Sequence, residues 1–204
     1  LKERKEYEKP KARPTWASIS PDRKWVVFAK HYNLWHMDSA NYRKALKNED
    51  DSTIIETQLT KDGIENYNYG DGNNETNIDK EKNKNKRKPA FLFWSPNSNY
   101  FAIIRSDSRK VNDLWVINSV AEPRPTLETY KYQLPGEKES AIREMLLFDF
   151  ANKTSKKIET AFFKDQELAI WSAPAQQKQR DDDYRPLLWL GTNDKLYFSR
   201  TSRD

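Results

Sequence analysis

The chain contains no cysteine, so neither disulfide bonds nor thiolate metal ligands are available to it. Its 204 residues include only five glycines, and no two of them lie four positions apart. This excludes the Gly-x-Ser-x-Gly turn that presents a nucleophilic serine, and phosphate-cradling glycine loops are absent as well. No apolar run approaches the roughly 18 residues of a membrane-spanning helix. The sequence therefore predicts no cofactor, no membrane span and no catalytic residues within this chain.

The sequence also offers few metal ligands. His31 and His36 are the only histidines, and we interpret them as isolated strand residues. Residues 71–75 begin like a calcium-binding loop. However, Thr76 stands where such a loop needs glycine, and Lys82 stands where it needs a bidentate glutamate. We therefore predict no metal site.

The positive charge of the chain is concentrated in one place. The net charge is +5, and residues 80–88 alone carry six basic side chains and one acidic side chain. No aromatic residue interrupts this run, whereas nucleic-acid-binding surfaces usually spread basic residues over a face with stacking aromatics between them. The sequence predicts a solvated loop between two strands here, and no nucleic-acid partner.

A short phrase recurs along the chain. It begins at Ser20 as Ser-Pro-Asp-Arg-Lys-Trp-Val-Val-Phe, returns at Ser95 as Ser-Pro-Asn-Ser-Asn-Tyr-Phe-Ala-Ile-Ile, and has a reduced copy at residues 191–198. Each copy is typical of a tight turn before an apolar strand. In the first two copies proline fixes φ at the second turn position, and Asp22 or Asn97 can accept hydrogen bonds from nearby backbone. A repeated turn-and-strand unit indicates a repeat architecture.

Several strands are apolar on both sides rather than alternating. Residues 25–29, 114–117 and 145–148 form nearly continuous apolar runs, which indicates burial on both faces of a sheet. Four tryptophans are predicted to be core residues: Trp94, Trp115, Trp171 and Trp189. Small antiparallel sheets covered on both faces are typical of propeller blades, and a β-sandwich is the alternative. We predict an all-β chain that forms a partial β-propeller of about three to four blades of antiparallel strands.

The predicted organisation begins with a charged lead-in linker at residues 1–14, followed by the propeller at 15–204. Its blade units are placed at about 15–63, 90–159 and 165–204, with a polar insertion at 64–89 and a proline-bearing loop at 121–140. An incomplete propeller leaves sheet edges and faces uncovered, so we expect self-association, with a homodimer as its simplest form.

These segments carry a family resemblance. Residues 20–63 resemble one blade of the dipeptidyl peptidase IV N-terminal propeller, and residues 94–111 resemble the next blade. Residues 124–137 read Arg-Pro-Thr-Leu-Glu-Thr-Tyr-Lys-Tyr-Gln-Leu-Pro-Gly-Glu, which is similar to the family's Arg-Pro…Tyr-x-Tyr-Pro-x-x-Gly loop. In order and spacing the resemblance covers most of residues 16–204.

The resemblance implies a division of labour. In the family, a propeller screens peptides for a C-terminal α/β-hydrolase domain that carries Ser, Asp and His, and dipeptidyl peptidases hold the substrate's amino terminus with a pair of propeller glutamates. The family's Asp-Trp-Val-Tyr-Glu-Glu pattern would fall between Gly63 and Trp94, and it is missing here. Glu65, Asp71 and Glu75 are the nearest carboxylates and become our candidates for substrate binding.

Two arginines are further candidates for substrate binding. Arg105 and Arg109 follow a predicted strand, where they could meet a peptide carboxylate, and surface pairing with Asp107 is the alternative.

The function implied by the resemblance is that of a non-catalytic propeller domain in a dipeptidyl peptidase IV-like serine peptidase. It would gate and position peptide substrates for a hydrolase domain of the same polypeptide that lies outside this chain. The family's usual bacterial setting, the periplasm or cell envelope, is the expected location. Two alternatives stay open, namely a stand-alone propeller that binds a protein partner and the propeller of a pseudo-peptidase.

Overall fold

The computed structural model describes residues 13–70, 75–160, 166–169 and 196–202. Antiparallel strands dominate this part of the chain, and neither of its two helices is long and apolar enough to cross a membrane. The strands are β1 (Ser18–Ile19), β2 (Trp25–Lys30), β3 (Asn33–Asp38), β4 (Thr57–Gln58), β5 (Tyr67–Asn68), β6 (Leu92–Trp94), β7 (Tyr100–Asp107), β8 (Asp113–Asn118), β9 (Thr126–Lys131), β10 (Ile142–Asp149), β11 (Thr154–Ile158), β12 (Gln166–Ala169) and β13 (Ser199–Ser202). The helices are α1 (Ser39–Lys47) and α2 (Asn77–Asn83).

The first sheet has four strands in the order β1-β2-β3-β4. β2 and β3 form a hairpin in which Trp25 pairs with Asp38 and Lys30 pairs with Asn33. The four central residues of β2 are buried, as its apolar run predicts for a strand covered on both faces. Its strands lie within residues 15–63, the range predicted for the first blade unit.

The repeated phrase forms the predicted turn at the start of this sheet. Ser20 Oγ accepts a hydrogen bond from Trp25 N at 3.1 Å, and Asp22 Oδ1 accepts one from Lys24 N at 3.1 Å. The backbone N–H of Asp22 also donates to Ser98 Oγ in the second copy of the phrase, at 3.0 Å. The side chains of the turn thus satisfy backbone donors that the turn leaves unpaired.

The second copy repeats the two bonds within the turn. Ser95 Oγ accepts from Tyr100 N at 2.9 Å, and Asn97 Oδ1 accepts from Asn99 N at 3.0 Å. The recurrence in sequence is therefore a recurrence in local structure, with an amide oxygen replacing the carboxylate oxygen of the first copy.

The second sheet is built on β7 and β10. These two strands pair over eight residues, from Tyr100 opposite Asp149 to Asp107 opposite Ile142. β11 lies on the outer edge of β10, while β6 and β5 share the other edge of β7. Because β5 comes from the predicted polar insertion, that insertion contributes a strand to the second blade.

The two sheets enclose a common core. Phe101 is fully buried and stacks on Phe148 with ring centroids 4.8 Å apart, and Val27 and Leu34 of the first sheet belong to the same cluster. On the opposite face of the second sheet, Met145 belongs to a cluster with Leu168 of β12 and with Leu196 and Phe198, which precede β13. The second sheet is therefore covered on both faces, which is the stacking that apolar strands of this kind predict.

The prediction that apolar runs are buried on both faces of a sheet is wrong for β8. Trp115 and Ile117 are each 70% exposed. β8 pairs only with β9 within the described residues, and the two strands form a two-stranded sheet apart from the blades. The core position predicted for Trp115 is wrong for the same reason, whereas Trp94 packs against the common core. Trp171 and Trp189 lie outside the described residues.

The polar insertion is also more than a solvated loop. It contains α2, and the end of its basic run is fixed to the first sheet. Arg87 Nε donates to Glu56 Oε1 at 2.6 Å, and the Arg87 guanidinium lies 5.2 Å from the ring centroid of Trp16. The backbones of Lys88 and Ala29 exchange hydrogen bonds of 2.8 and 2.9 Å. Opposite charge and an aromatic face therefore anchor residues that sequence composition alone assigns to solvent.

Side-chain hydrogen bonds set the bounds of two elements that follow β3. The side chain of Asp38 accepts from Asn41 N and caps α1, which extends over nine residues. β4 is limited to Thr57 and Gln58. Asp51 accepts hydrogen bonds from the backbone and hydroxyl of Thr53, which holds the chain there in a turn.

Candidate functional site

A cavity of about 390 Å³ opens beside the turn that joins β2 to β3. His31 and Tyr32 of this turn line one side, and Lys80 of α2 lines another. Glu65 and Glu75, two of the three predicted carboxylates, also line it. We call this the first cavity. It lies between the two complete copies of the repeated phrase in sequence, where the family resemblance places substrate binding.

Charges in the first cavity are balanced by ion pairs. The pairs are Glu75–Lys88, Glu81–Lys84 and Glu65–Lys80. In the first two the charged atoms are in direct contact, whereas Glu65 Oε1 and Lys80 Nζ are 4.0 Å apart. This separation exceeds the length of a hydrogen bond, so a polar ligand can reach both charges of the Glu65–Lys80 pair. The Glu65 side chain is 62% exposed, and it is the exposed carboxylate among these pairs that does not directly contact its lysine, since the more exposed Glu81 contacts Lys84.

The Glu65–Lys80 pair is therefore the one that a ligand can separate without first breaking a direct contact. Exposed ion pairs contribute little stability, so breaking the open Glu65–Lys80 pair in favour of a ligand costs little.

The turn at the rim of the first cavity has an uncommon backbone. His31 and Tyr32 have φ of 49° and 67°, the left-handed conformation that two-residue hairpin turns require and that Asn-Gly usually supplies. The carbonyl oxygen of Tyr32 accepts from Tyr69 N at 3.1 Å. A Cβ at Gly63 would lie 2.1 Å from this oxygen, so glycine is needed there for close approach. Burial and the negative charge of Glu65 raise the pKa of the Tyr32 phenol.

Arg105 lies inside β7, where it is buried, and not past the strand end as predicted. Its Nη1 donates to Asp62 Oδ2 at 2.7 Å, and its Nη2 donates to Glu144 Oε2 at 3.1 Å and to the Tyr67 hydroxyl. The guanidinium also stacks over the Tyr67 ring, 3.7 Å from the centroid. Lys157 Nζ donates to the other oxygen of Glu144 at 2.6 Å. The network joins the segment after the first sheet to β5, β7 and β10 of the second.

This network shifts the ionisation of its members. Burial alone would raise the pKa of Asp62, but hydrogen bonds from Arg105 and Tyr69 hold it below its ordinary value. Burial would likewise raise the pKa of Glu144, and hydrogen bonds from Lys157, Tyr67 and Arg105 lower it. Both carboxylates are therefore charged at neutral pH and engage the buried guanidinium.

Arg109 pairs with Asp107, as the alternative interpretation of the sequence has it. Its Nε lies 2.8 Å from Asp107 Oδ1 and its Nη2 lies 2.6 Å from Oδ2, a bidentate arrangement. The guanidinium also lies 4.1 Å from the ring centroid of Tyr67. A role for either arginine in binding substrate stays a prediction.

A second cavity of about 270 Å³ adjoins the first. It shares Glu65 and Lys80 with the first cavity, is lined by Ser108 after β7, and reaches the hairpin of β8 and β9, where Tyr130 and Lys131 line it. The open ion pair is therefore part of the lining of both cavities.

The structure thus brings two of the five predicted site residues together. Glu65 and Glu75 line the first cavity, while Arg105 and Arg109 belong to the neighbouring network around Tyr67. Asp71 lies outside the described residues.

Sequence reasoning missed Tyr32 and the lysines of the first cavity. A signal for α2 was present in Thr76-x-x-Asp79, because Thr76 Oγ1 accepts from Asp79 N at 3.1 Å and its hydroxyl donates to Asp79 Oδ2 at 2.8 Å. Recognising that cap would have placed Lys80 and Lys84 on or beside a helix. Nothing in the local sequence points to Tyr32, whose position depends on Gly63 and Tyr69.

The described residues contain no group of three or more histidine or acidic side chains that could hold a metal ion. The polar side chains that line the two cavities can form ion pairs and hydrogen bonds with a ligand.

Comparison with known proteins gives the family context. The sequence-family model of the dipeptidyl peptidase IV (DPP IV) N-terminal region matches residues 2–204. The structure is similar to that of Porphyromonas gingivalis dipeptidyl peptidase 4, with a TM-score of 0.51 and 21% identity over 74% of this chain and 19% of that one. It is also similar to a putative dipeptidyl aminopeptidase IV from Bacteroides ovatus, with a TM-score of 0.50 and 16% identity over 77% of this chain and 18% of that one. No curated protein matches the sequence.

The two solved structures support the fold at low sequence identity, and the chain spans about a fifth of the length of each. Together with the antiparallel sheets, they confirm the predicted fold class, an all-β partial β-propeller.

Proposed function

Because this chain belongs to the family of dipeptidyl peptidase IV N-terminal regions, we propose that it is the non-catalytic propeller part of a serine peptidase. Its task is to gate and position peptide substrates for an α/β-hydrolase domain elsewhere in the same polypeptide. In that domain a serine would attack the peptide carbonyl, with a histidine as base and an oxyanion hole to stabilise the charge that develops.

The first cavity is the observation that carries the positioning role. It presents the carboxylate of Glu65 next to the aromatic ring of Tyr32, and both line the same space. An ammonium group that leaves water needs carboxylates or aromatic faces to replace its hydration. A peptide amino terminus therefore fits this cavity chemically, although the family's pair of adjacent glutamates is missing.

The lysine partners limit how strongly an amine is held. Glu75 already contacts Lys88, so its negative charge is largely neutralised before a ligand arrives. Only the Glu65–Lys80 pair is open, and the carboxylate of Glu65 would have to serve alone. We therefore propose a modest preference for a free amino terminus, in place of the strict requirement that a paired-glutamate site implies.

The test uses the full-length protein and matched peptides with free and acetylated amino termini. We expect free peptides to have the higher kcat/KM, and Glu65→Gln to lower kcat/KM for free peptides by about tenfold while leaving acetylated peptides unchanged. Glu139→Gln is the control, since Glu139 is exposed and lines neither cavity. Equal loss with both kinds of peptide, or no loss with either, would contradict the role of Glu65.

A stand-alone propeller that binds a protein partner is the second candidate. The exposed apolar face of β8 and β9, with Trp115, Ile117 and Leu127, is the observation that favours it. The coding sequence after residue 204 separates the candidates. A Gly-x-Ser-x-Gly turn followed by Asp and His supports the peptidase, the same turn without its serine supports a pseudo-peptidase, and further blades without a hydrolase domain support the binding module.

We also propose the bacterial periplasm or cell envelope as the location, following the family resemblance. Fractionation of cells that express the full-length protein tests this, and recovery with cytoplasmic markers would contradict it.

A further inference from the structure

The two cavities share four lining residues, which we call the wall between them. Glu65, Asn66, Asn77 and Lys80 line both of them. The first cavity extends from this wall toward the β2–β3 turn, and the second extends from it toward the hairpin of β8 and β9. A ligand longer than either cavity would have to pass this wall.

The wall contains an ion pair whose members are not in direct contact. Glu65 Oε1 and Lys80 Nζ lie 4.0 Å apart, and the two side chains are 62% and 33% exposed. Both are long and flexible, and an exposed pair of this kind contributes little to stability. The two side chains can therefore separate at small cost, and each charge can then pair with a group of the ligand.

The second cavity has the chemistry of a peptide-binding surface. Its lining offers the hydroxyl of Ser108, the amide of Asn66 and the phenol ring of Tyr130, while the side-chain amide of Asn77 already donates to Leu127 O. Peptide N–H and C=O groups need hydrogen-bond partners of this kind when they leave water, and an aromatic ring can pack against a peptide side chain.

We infer that the two cavities form one groove for an extended oligopeptide, with the Glu65–Lys80 pair as a divider that a longer chain crosses. Short peptides place their amino terminus beside Glu65 and occupy the first cavity alone. Longer peptides continue past the divider into the second cavity and contact Ser108 and Tyr130. This inference rests on the proposed function, and it extends that function from short peptides to peptides lengthened on the amino side.

The experiment measures binding separately from hydrolysis. Fluorescence anisotropy gives the Kd of the full-length protein for a dye-labelled dipeptide, tetrapeptide and hexapeptide that share a carboxyl-terminal sequence and carry the dye there. Hydrolysis of free and acetylated peptides, measured in parallel, reports on the proposed function. We expect the hexapeptide to bind about tenfold more tightly than the dipeptide.

Two substitutions in the second cavity test its part in that gain. Ser108→Phe fills the second cavity, and Tyr130→Ala removes its aromatic surface. Both should abolish the tighter binding of the hexapeptide and leave dipeptide binding unchanged. Ser52→Phe is the matched control, because Ser52 is exposed and lines neither cavity.

The outcomes separate the two proposals. Binding that does not improve with length, or a length-dependent gain that survives both Ser108→Phe and Tyr130→Ala, overturns the continuous groove even if peptides are cleaved. A length-dependent gain that both variants remove supports the groove even if no peptide is cleaved, and the peptidase role alone then fails. If none of the three peptides binds, the groove is overturned together with the proposed function.

Discussion

His36 should make the folded protein sensitive to mild acid. Its imidazole is buried in β3, in edge-to-face contact with the rings of Trp25 and Phe150, at centroid distances of 5.3 Å each. Its Nδ1 has no hydrogen-bond partner in the described part of the chain. Burial, together with the positive charge of Lys153 and against the smaller effect of Asp38, lowers the pKa of His36 to about 4.

The size and the pH range of the effect follow from this pKa. In the unfolded chain the pKa of histidine is about 6.5, so between about 4 and 6.5 the unfolded state binds a proton that the folded state does not. Stability is therefore lost as the pH falls through this range. The difference between the two pKa values corresponds to about 3 kcal/mol when the loss is complete, a large share of the stability of an ordinary domain.

Urea denaturation followed by tryptophan fluorescence, at a series of pH values from about 7.5 to about 4.5, measures this loss. His36→Gln should flatten the dependence on pH within this range, and His31→Gln should not. Lys153→Met should also flatten it, because removing the positive charge raises the pKa of His36 toward its ordinary value. A slope in His36→Gln as steep as in the unaltered protein would refute the assignment. The carboxylates with lowered pKa, Asp62 and Glu144, lose their contribution only at lower pH.

Three further predictions concern the packing of the sheets. Arg105→Met should lower the free energy of unfolding by about 3–5 kcal/mol, because it leaves Glu144 buried with one partner fewer, and its effect should not add to that of Glu144→Gln in a urea-denaturation cycle. Arg87→Met should lower the free energy of unfolding by about 2 kcal/mol, because it removes the buried bond to Glu56. Lys84→Met, at an exposed position, should change it by no more than about 0.5 kcal/mol. Equal effects of the two substitutions would show that Arg87 is not anchored to the first sheet. Trp115→Ser should leave thermal stability nearly unchanged and reduce self-association in sedimentation velocity; unchanged sedimentation would exclude the exposed hairpin face as a contact between copies.

The local turn chemistry was predictable from the sequence. Ser20 and Ser95 act within five residues of their own position, and their bonds to Trp25 and Tyr100 depend on little beyond that segment. The same holds for the hairpin of β2 and β3, since β3 follows β2 after a two-residue turn.

The environment of β8 was not predictable in the same way. An apolar run shows that a strand has apolar side chains on both faces, but it does not show whether two layers are available to cover them. β7 finds a layer on each side, whereas β8 pairs with β9 and leaves Trp115 and Ile117 exposed.

In the candidate site, too, some features follow from position in the sequence and others from the packing of the sheets. Glu65 and Glu75 could be chosen because their position between the repeats is a property of the sequence. That Glu75 is neutralised by Lys88, and that Arg105 is engaged by Asp62 and Glu144, depends on residues 13 to 43 positions away in the chain. Pairing over such distances is set by how the sheets stack.

By itself, then, the sequence determined the repeated turn, the family and the all-β class, because these rest on contacts between residues close in the chain or on composition. The tertiary structure alone decided which charges remain open to a ligand. Folding brought Glu65 to within 4.0 Å of Lys80 and placed both where two cavities meet, while the other carboxylates and the buried arginine received partners. The physical reason is that an ion pair depends on distance in space, which only the packing of the blades establishes.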